Sequence, residues 1–454
     1  MSELPIGWTH FSLKDTRGLS GGKTPSKANP AFWSSPDVPW VSPKDMKKSL
    51  LETSEDKISD IALVAAGMTL YPKDSVLMVT RSGILQHTFP VALTGARVTV
   101  NQDIKVLRPT QGVSPKFTFY MLKYYGSQIL SECSKAGTTV QSVDSEKLES
   151  FDFPLPPSAE QTRIAQKLDE LLTQVDTLKA RIDAIPKLLK RFRQSVLAAA
   201  VSGHLAEESR GRSELENQSA KTPLGNLIRE MRNGLSAKPN EAGKGIPILR
   251  ISSVRAGSVD QAEVRFLECD DSERNRYSLK AGDLLFTRYN GTLELVGVCG
   301  LVREVSHATL VYPDKLIRVR CNTNIVLPEY LEIFFSAPST RQRVMELVKS
   351  TSGQKGISGQ DLKDFVVTYP SLSIQTDVIR QVEQLFAFAD QLEAKVASAK
   401  TRIDHLTQSI LAKAFRGELV PQDPNDEPAN VLLERIKAQR AAAPKVKRSR
   451  KASA

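Results

Sequence analysis

The residue patterns that come nearest to catalytic chemistry lie close to the amino terminus. Asn29-Pro30-Ala31-Phe32 approximates the (N/D)PP(Y/F/W) motif that grips a flipped base in adenine methyltransferases, but it lacks the second proline. Asp37 followed by Glu55-Asp56-Lys57 imitates the carboxylates and lysine with which many nucleases hold Mg²⁺, although Pro36 and Pro39 flank that aspartate. Both patterns therefore predict turns and surface side chains rather than active sites.

The other signatures of catalysis are missing from the sequence. It contains no G-x-x-x-x-G-K-[ST] phosphate loop, so no ATP motor is visible. The five histidines are scattered singly and form neither a triad nor a zinc-ligand spacing. The four cysteines lie far apart without a C-x-x-C pair, which predicts reduced thiols. We therefore expect no metal and no cofactor on this chain.

The sequence offers better candidates for DNA binding than for catalysis. Glycine-flanked loops carry guanidinium and amide groups that can read base edges, with lysines that can hold phosphates. For each residue the alternative is an ordinary solvated side chain or a turn former. The predicted DNA contacts are Lys23, Lys44, Arg81, Ser82, Thr138, Thr139 and Gln141 in the first half, and Lys238, Arg250, Arg255, Arg288, Tyr289, Asn290, Gln354 and Lys355 in the second.

An internal duplication organises the chain that must position these loops. Residues 161–205 align without gaps on residues 375–419, at an offset of 214. In each copy the apolar residues alternate three and four apart over four heptads, which predicts a long helix that pairs as a coiled coil. Both copies end at a glycine, Gly203 or Gly417, which suits the left-handed residue after a helix. Pro186 should kink or split the first helix.

The segments before the helices correspond more loosely. Short apolar strands separated by Gly, Pro and Asn turns predict an α/β domain in each half. The matched segments are Gly18-Leu19-Ser20 with Gly234-Leu235-Ser236, Val38–Val41 with Ile246–Leu249, and Thr80-Arg81-Ser82-Gly83 with Thr287-Arg288-Tyr289-Asn290-Gly291. The predicted apolar stripe of the helices includes Leu168, Val175, Leu178 and Val196 in the first copy, and Val382, Ala389, Leu406 and Ile410 in the second.

Together these patterns predict an α/β fold with two similar domains, each followed by a long helix. We expect the two helices to pair as an antiparallel coiled coil with approximate two-fold symmetry. The predicted parts are a first domain at 4–155, a central helical spacer at 156–205, a linker at 206–221, a second domain at 222–370, a C-terminal helical spacer at 371–420, and a linker, short helix and basic tail at 421–454.

Charge and hydropathy restrict the class of protein further. The net charge of +11 favours a polyanionic partner, but six of these charges lie in the acid-free stretch after Gln439, which weakens the argument. The first residues contain no basic region followed by an apolar run, and no stretch has the roughly 18 apolar residues of a membrane span. We therefore expect a soluble, cytoplasmic protein.

The order of these features resembles the specificity subunit of type I restriction–modification systems, in its enterobacterial branch. The residues that carry the resemblance are Pro157-Ser-Ala-Glu-Gln161, Leu189-Lys-Arg-Phe-Arg-Gln194, Asn233-Gly-Leu-Ser236, Leu249-Arg-Ile-Ser-Ser253, Leu284-Leu-Phe-Thr-Arg-Tyr-Asn-Gly291, Thr351-Ser-Gly-Gln-Lys-Gly-Ile357 and Ile410-Leu-Ala-Lys-Ala-Phe-Arg-Gly-Glu-Leu419. The likeness covers residues 4 to 440, although the first domain matches only in outline.

The resemblance implies a non-catalytic subunit whose two target recognition domains each read one half of a split site in double-stranded DNA. It also implies two methyltransferase subunits docked on the helices, and two restriction subunits that translocate and cleave DNA. S-adenosylmethionine, ATP and Mg²⁺ would then belong to those partners. Two alternatives are a self-contained DNA methyltransferase or nuclease, which the missing motifs oppose, and a coiled-coil scaffold without a DNA role, which the repeated basic loops oppose.

Overall fold

The computed structural model describes residues 4–16, 18–135, 140–205, 219–240, 242–351 and 354–442. The chain divides into two units, one formed by Met1–Arg181 with Ala399–Ala454 and the other by Ile182–Ser398. The predicted contacts Thr138 and Thr139, most of the predicted linker and the end of the basic tail lie outside the described residues. Each unit contains one mixed α/β domain together with parts of both long helices.

The domain of the first unit is built on two small sheets. A five-stranded sheet has the order β2-β9-β6-β7-β4, and a three-stranded sheet has the order β5-β3-β8. All four side chains of the central strand β6 are buried, as its uninterrupted apolar sequence Val-Leu-Met-Val requires. The strands are β1 Thr9–Phe11, β2 Leu19–Gly21, β3 Val38–Val41, β4 Leu50–Leu51, β5 Lys57–Ile58, β6 Val76–Val79, β7 Val91–Thr94, β8 Thr99–Val100, β9 Ile104–Leu107 and β10 Phe153–Leu155.

The domain of the second unit repeats this plan in part. Its four-stranded sheet has the order β12-β20-β17-β19, and the two-stranded sheet β13-β16 corresponds to strands β3 and β5 of the first unit. A further three-stranded sheet has the order β18-β22-β21. The strands are β11 Ala220–Pro223, β12 Ile228–Asn233, β13 Ile246–Leu249, β14 Val254–Arg255, β15 Ser258–Val259, β16 Val264–Leu267, β17 Leu284–Thr287, β18 Tyr289–Asn290, β19 Cys299–Leu301, β20 Leu316–Cys321, β21 Lys349–Thr351, β22 Gln354–Gly356 and β23 Val366–Tyr369.

Helices lie between and after the strands in both units. A helix pair that starts at a proline, where the missing N–H is harmless, packs beside each sheet. The helices are α1 Asp60–Ala65, α2 Pro115–Tyr124, α3 Gly126–Cys133, α4 Ser145–Ser150, α5 Ser158–Ser202, α6 Asp271–Tyr277, α7 Pro328–Ser336, α8 Pro338–Glu346, α9 Gly359–Lys363, α10 Leu372–Phe415 and α11 Ala429–Ala442. No helix among the described residues is long and apolar enough to cross a membrane.

The two long helices, α5 and α10, confirm the prediction made from the duplication. Helix α5 runs through Pro186 without interruption, so a split at this proline is excluded, and the alternative of a kink stays a prediction. A proline removes only one hydrogen bond of the helix ladder, which a long helix packed on neighbours can tolerate. Gly203 and Gly417 both have positive φ, as expected of residues that end helices.

Within each unit the two helices run antiparallel. In the first unit the Lys179 side chain lies 3.1 Å from Asp404. In the second unit Arg193 contacts Glu393 at 2.7 Å, so positions later in α5 face positions earlier in α10. The predicted stripe is only partly buried, because Leu178 is 47% and Leu406 46% exposed. A pair of helices covers one seam and leaves the edges of a wider stripe open to solvent.

The strand pairings determine which residues of the two domains are equivalent. Strands β3 and β13 occupy the same place, since Trp40 pairs with Thr99 and Ile248 with Val311, both in parallel. The predicted match of Val38–Val41 with Ile246–Leu249 is therefore confirmed. The match of Gly18 with Gly234 is wrong. Gly18 precedes strand β2, whereas Gly234 follows strand β12.

Gly22 is the structural equivalent of Gly234. A Cβ at Gly22 would lie 1.7 Å from the carbonyl oxygen of Val100, and a Cβ at Gly234 would lie 2.2 Å from that of Tyr312. At both places two backbone segments approach so closely that a side chain has no room. In the sequence the first segment was matched four residues too early. Gly18 and Gly22 both precede Lys23 and Pro25, just as Gly234 precedes Lys238 and Pro239, so either glycine could be chosen as its partner.

We expect Gly22→Ala and Gly234→Ala each to destabilise the protein by roughly 3 kcal/mol, because the backbone itself would have to move. The measurement is the free energy of unfolding by denaturant. Gly83→Ala and Gly291→Ala are matched controls, since a Cβ there meets nothing within 4 Å. Equal loss of stability in a test variant and its control would contradict the close approach.

Candidate nucleic-acid interface

The loop surface of the second unit is organised by three short strands. Strand β18 pairs with β22, so that Tyr289 lies opposite Gly356 and Asn290 opposite Lys355. A Cβ on Gly356 would come within 2.4 Å of the Tyr289 ring. Glycine is therefore needed at this position for the ring to pack across the strand. The Oδ1 atom of Asn290 accepts a hydrogen bond from the backbone of Thr292, which holds that amide in place.

A groove of about 710 Å³ opens beside these strands. It brings together residues that are separated by more than 100 positions in the sequence. Five of the predicted DNA contacts line it, namely Arg250, Arg255, Tyr289, Asn290 and Gln354. Lys238 is exposed between two further lining residues, Ala237 and Pro239. The groove combines guanidinium, amide and aromatic groups, which suits contact with base edges and phosphates.

Three further charged residues of this groove were not predicted from the sequence. Arg265, Asp314 and Lys315 also line it. Arg265 lies on strand β16, opposite Ile248, and no local motif marks it. Lys315 accepts a hydrogen bond from the backbone N–H of Arg288 through its carbonyl oxygen. With three arginines and a lysine against one aspartate, the groove lining is positively charged.

The predicted contacts of the first unit lie on backbone pairings that match those of the second unit. Arg81 forms an antiparallel bridge with Ser142, and the N–H of Ser82 donates to the carbonyl oxygen of Gln141 at 3.1 Å. Arg81, Ser82 and Gln141 therefore lie together. The exposed Arg81 side chain is held by Asp103, with its Nε atom 2.9 Å from Oδ1.

The backbone hydrogen bonds correct the predicted equivalence of Arg81 and Arg288. The N–H of Thr80 donates to Asp103, and the N–H of Arg288 donates to Lys315. Arg288 thus occupies the position of Thr80, and Tyr289 that of Arg81. A shift of one residue in a strand moves a side chain to the opposite face. In agreement with this, Arg288 is absent from the groove lining, and its guanidinium lies 4.7 Å from the centre of the Tyr289 ring.

At one pair of equivalent positions the two units carry side chains of opposite charge. Asp103 in the first unit corresponds to Lys315 in the second, because each accepts the same backbone hydrogen bond. Asp103 neutralises Arg81, whereas Lys315 adds a cation to the groove. The two surfaces share a pattern of backbone hydrogen bonds but differ in the charges of their side chains.

The two remaining candidates of the first unit have different surroundings. Lys44 lies 2.9 Å from a carboxylate oxygen of Asp56 and 3.1 Å from one of Glu55. Hydrogen bonds to Asp56 and Glu55 raise the pKa of Lys44. Lys23 follows the tight approach at Gly22, and its backbone carbonyl accepts a hydrogen bond from the Trp40 indole.

The near-catalytic patterns serve structural purposes. The Asn29 side chain accepts a hydrogen bond from the N–H of Ala31 and caps a short 3-10 turn. Glu55 and Asp56 are bound by Lys44. Within the described ranges no cluster of three or more His, Cys, Asp or Glu residues could hold a metal ion. All four cysteines are free, as predicted.

The sequence is similar to known proteins over nearly its whole length. It is 44% identical, across 99% of both chains, to the type I restriction enzyme EcoKI specificity subunit of Escherichia coli (strain K12). It is 33% identical, again across 99% of both chains, to the StySPI specificity subunit of Salmonella potsdam. Residues 5–187 match the family described as type I restriction modification DNA specificity domain.

Two solved structures share the fold. One, described as the structural basis underlying complex assembly and conformational transition of the type I R-M system, has a TM-score of 0.69 at 18% identity. The match covers 92% of this chain and 100% of the solved chain. The HsdS subunit from Thermoanaerobacter tengcongensis has a TM-score of 0.60 at 17% identity, over 92% of this chain and 98% of its own.

The two similar domains with paired long helices, together with relatives that are specificity subunits, define the class as a non-catalytic subunit that recognises DNA. The chain belongs to the family of type I restriction enzyme specificity subunits. The resemblance found in the sequence motifs is confirmed, and so are the two domains and the paired helices.

Proposed function

We propose that this subunit contacts the two halves of its DNA site at two places. One is the groove of the second unit, and the other is the surface formed by Arg81, Ser82 and Gln141 in the first unit, called here the Arg81 surface. The observation that carries the proposal is the convergence of Arg250, Arg255, Tyr289 and Asn290 in one basic groove. Guanidinium and amide groups can form paired hydrogen bonds with guanine and adenine, and the surrounding cations favour the phosphates.

The difference between the two surfaces supports the reading of different sequences. Lys315 gives the second groove a cation where the first unit has the Asp103–Arg81 pair. The Asp103 carboxylate offsets the charge of Arg81, so the first surface is less positive at this position than the second groove. Arg288, stacked on Tyr289, supports the tyrosine ring beside the groove.

The subunit acts within a complex. In this proposal two methyltransferase subunits bind the paired helices and methylate adenine N6, and two restriction subunits drive translocation and cleavage. S-adenosylmethionine, ATP and Mg²⁺ are bound by those partners, and the complex works in the cytoplasm. The near-catalytic patterns support this division of labour, since Asn29 caps a turn and Glu55 pairs with Lys44.

The groove is tested by Asn290→Ala with Gln354→Ala, after the site has been identified by methylation mapping of a host that expresses the complete system. We expect binding of the assembled methyltransferase complex to weaken at least about 30-fold on the cognate site, because the double variant removes two base contacts of about 1–3 kcal/mol each. Binding to unrelated DNA should change little. Fluorescence anisotropy with labelled duplexes measures both.

Gln342→Ala is the matched control, since this exposed glutamine of α8 lies outside the groove lining. Unchanged discrimination in the double variant at several salt concentrations would remove the groove from the DNA interface. A parallel loss on cognate and unrelated DNA would also contradict base reading, because it indicates phosphate contact alone.

A further inference from the structure

Two glutamines at matched positions in the duplication, Gln161 and Gln375, are fully buried. Each is the fourth residue of its long helix, α5 or α10. Burying an amide costs free energy unless its hydrogen bonds are made inside the protein. Both side chains must therefore find partners in the domain on which their helix begins.

In the first unit the amide of Gln161 joins two parts of the recognition domain to the helix. Its Oε1 atom accepts a hydrogen bond from the backbone N–H of Ser114 at 2.8 Å. Its Nε2 atom donates to the carbonyl oxygen of Pro156 at 2.9 Å. Ser114 immediately precedes α2, and Pro156 immediately follows strand β10.

The second unit repeats this arrangement with different neighbouring residues. The Oε1 atom of Gln375 accepts from the N–H of Leu327 at 2.8 Å, and its Nε2 atom donates to the carbonyl oxygens of Pro370 at 2.8 Å and Ile325 at 3.0 Å. Leu327 immediately precedes α7. The N–H groups at a helix start have no partner inside that helix, so the glutamine oxygen satisfies a donor that would otherwise be buried and unbonded.

The helices capped in this way lead to the candidate reading loops. In the second unit α7 is followed by α8 and then by strands β21 and β22, which carry Gln354 and Lys355. In the first unit α2 and α3 precede the loop that includes Gln141. A small rotation where the domain meets its long helix would be enlarged at these loops. A rotation of about 10° moves a point about 20 Å away by about 3.5 Å, close to one base-pair rise.

We propose that Gln161 and Gln375 are positioning residues that hold each recognition domain at a fixed angle to its long helix, and so restrict the spacing between the two half-sites. The inference rests on the proposed function. Apolar packing of Ile374, Val378 and Val382 in the domain core also joins α10 to its domain. Such packing is non-directional, whereas the amide hydrogen bonds specify one orientation.

The test compares the complex of this subunit with its methyltransferase partners, as wild type and as Gln161→Leu/Gln375→Leu. Leucine keeps much of the volume and removes every amide hydrogen bond. Methylation rates are measured on duplexes with the cognate half-sites and spacers from two base pairs shorter to two longer. We expect the half-site sequences to be unchanged, while spacers one base pair off are methylated about tenfold faster relative to the cognate spacer than in wild type.

Gln166→Leu/Gln384→Leu is the control, because these glutamines are exposed on the same two helices. An identical spacer profile in the test and wild-type complexes would overturn the inference, as would equal relaxation in the control. If wild type itself methylates no bipartite site, the proposed function fails instead. If the leucine variant does not assemble, Gln161→Met/Gln375→Met replaces it. Methionine keeps the length of the side chain and removes the amide hydrogen bonds, so relaxation is still expected, and an unchanged profile again overturns the inference.

Discussion

Replacing Glu230 with alanine is expected to destabilise the second unit by about 3–5 kcal/mol, because it leaves a buried arginine without its charge partner. Arg318 is only 1% exposed. Glu230 accepts hydrogen bonds from Arg232 at 2.7 Å, from Arg318 at 2.9 Å and from Arg320 at 3.1 Å. Arg318 also donates to the carbonyl oxygen of Ser278, which satisfies part of the guanidinium but not its charge. Thermal and denaturant unfolding measure the loss.

Arg232→Ala is the control for this network. Its side chain is the most exposed of the three arginines, and its loss leaves Glu230 paired with Arg318 and Arg320. We expect a cost below about 1 kcal/mol. A similar loss in both variants would mean that the buried charge is not the cause.

The Glu230 interaction also predicts a pH dependence. Burial raises the pKa of Glu230, but the hydrogen bond from Arg232 and the charges of Arg318 and Arg320 outweigh burial, so the pKa is lowered from its ordinary value of 4.5. A lowered pKa in the folded state stabilises the protein at pH values above 4.5, and this stabilisation is lost as the pH falls through the folded value. The stability difference between wild type and Glu230→Gln should therefore shrink below pH 4.5.

Lengthening both helices by one heptad is expected to lengthen the unread spacer of the DNA site by about three base pairs. Seven residues add about 10.5 Å of helix, and duplex DNA rises about 3.4 Å per base pair. Lys179 and Asp404 face each other in the antiparallel pair, so insertions beside these two residues lengthen both helices at the same level. The heptad keeps the apolar stripe on the seam. Methylation mapping gives the new spacer directly.

The half-site sequences should remain the same in this variant, because the recognition domains are unaltered. Affinity is expected to fall, since three base pairs also rotate one half-site about the duplex axis. A heptad inserted in α5 alone is the control. It leaves seven residues without a partner and should lower stability and assembly. An unchanged spacer in a folded, active double insertion would show that helix length does not determine the spacing.

Much of this molecule was predictable from the sequence because the signals are local or repeated. The apolar periodicity of residues 161–205 and 375–419 predicted α5 and α10, since helix burial repeats every three to four residues. The glycine-flanked segments led to Tyr289, Asn290 and Gln354, which line the groove. Their residue types restrict backbone and side-chain chemistry wherever the chain places them.

The tertiary structure decided which residues are equivalent and which are buried. A one-residue slip between similar strands is invisible in a loose alignment, yet the hydrogen-bond register places Arg288 at the position of Thr80. From the sequence, Gln161 and Gln375 would be expected on the surfaces of their helices. In the structure the recognition domains supply hydrogen-bond partners for both amides. The charge reversal from Asp103 to Lys315 likewise became visible only through strand pairing. Register, burial and charge balance depend on contacts between segments far apart in the chain, and local residue patterns do not encode those contacts.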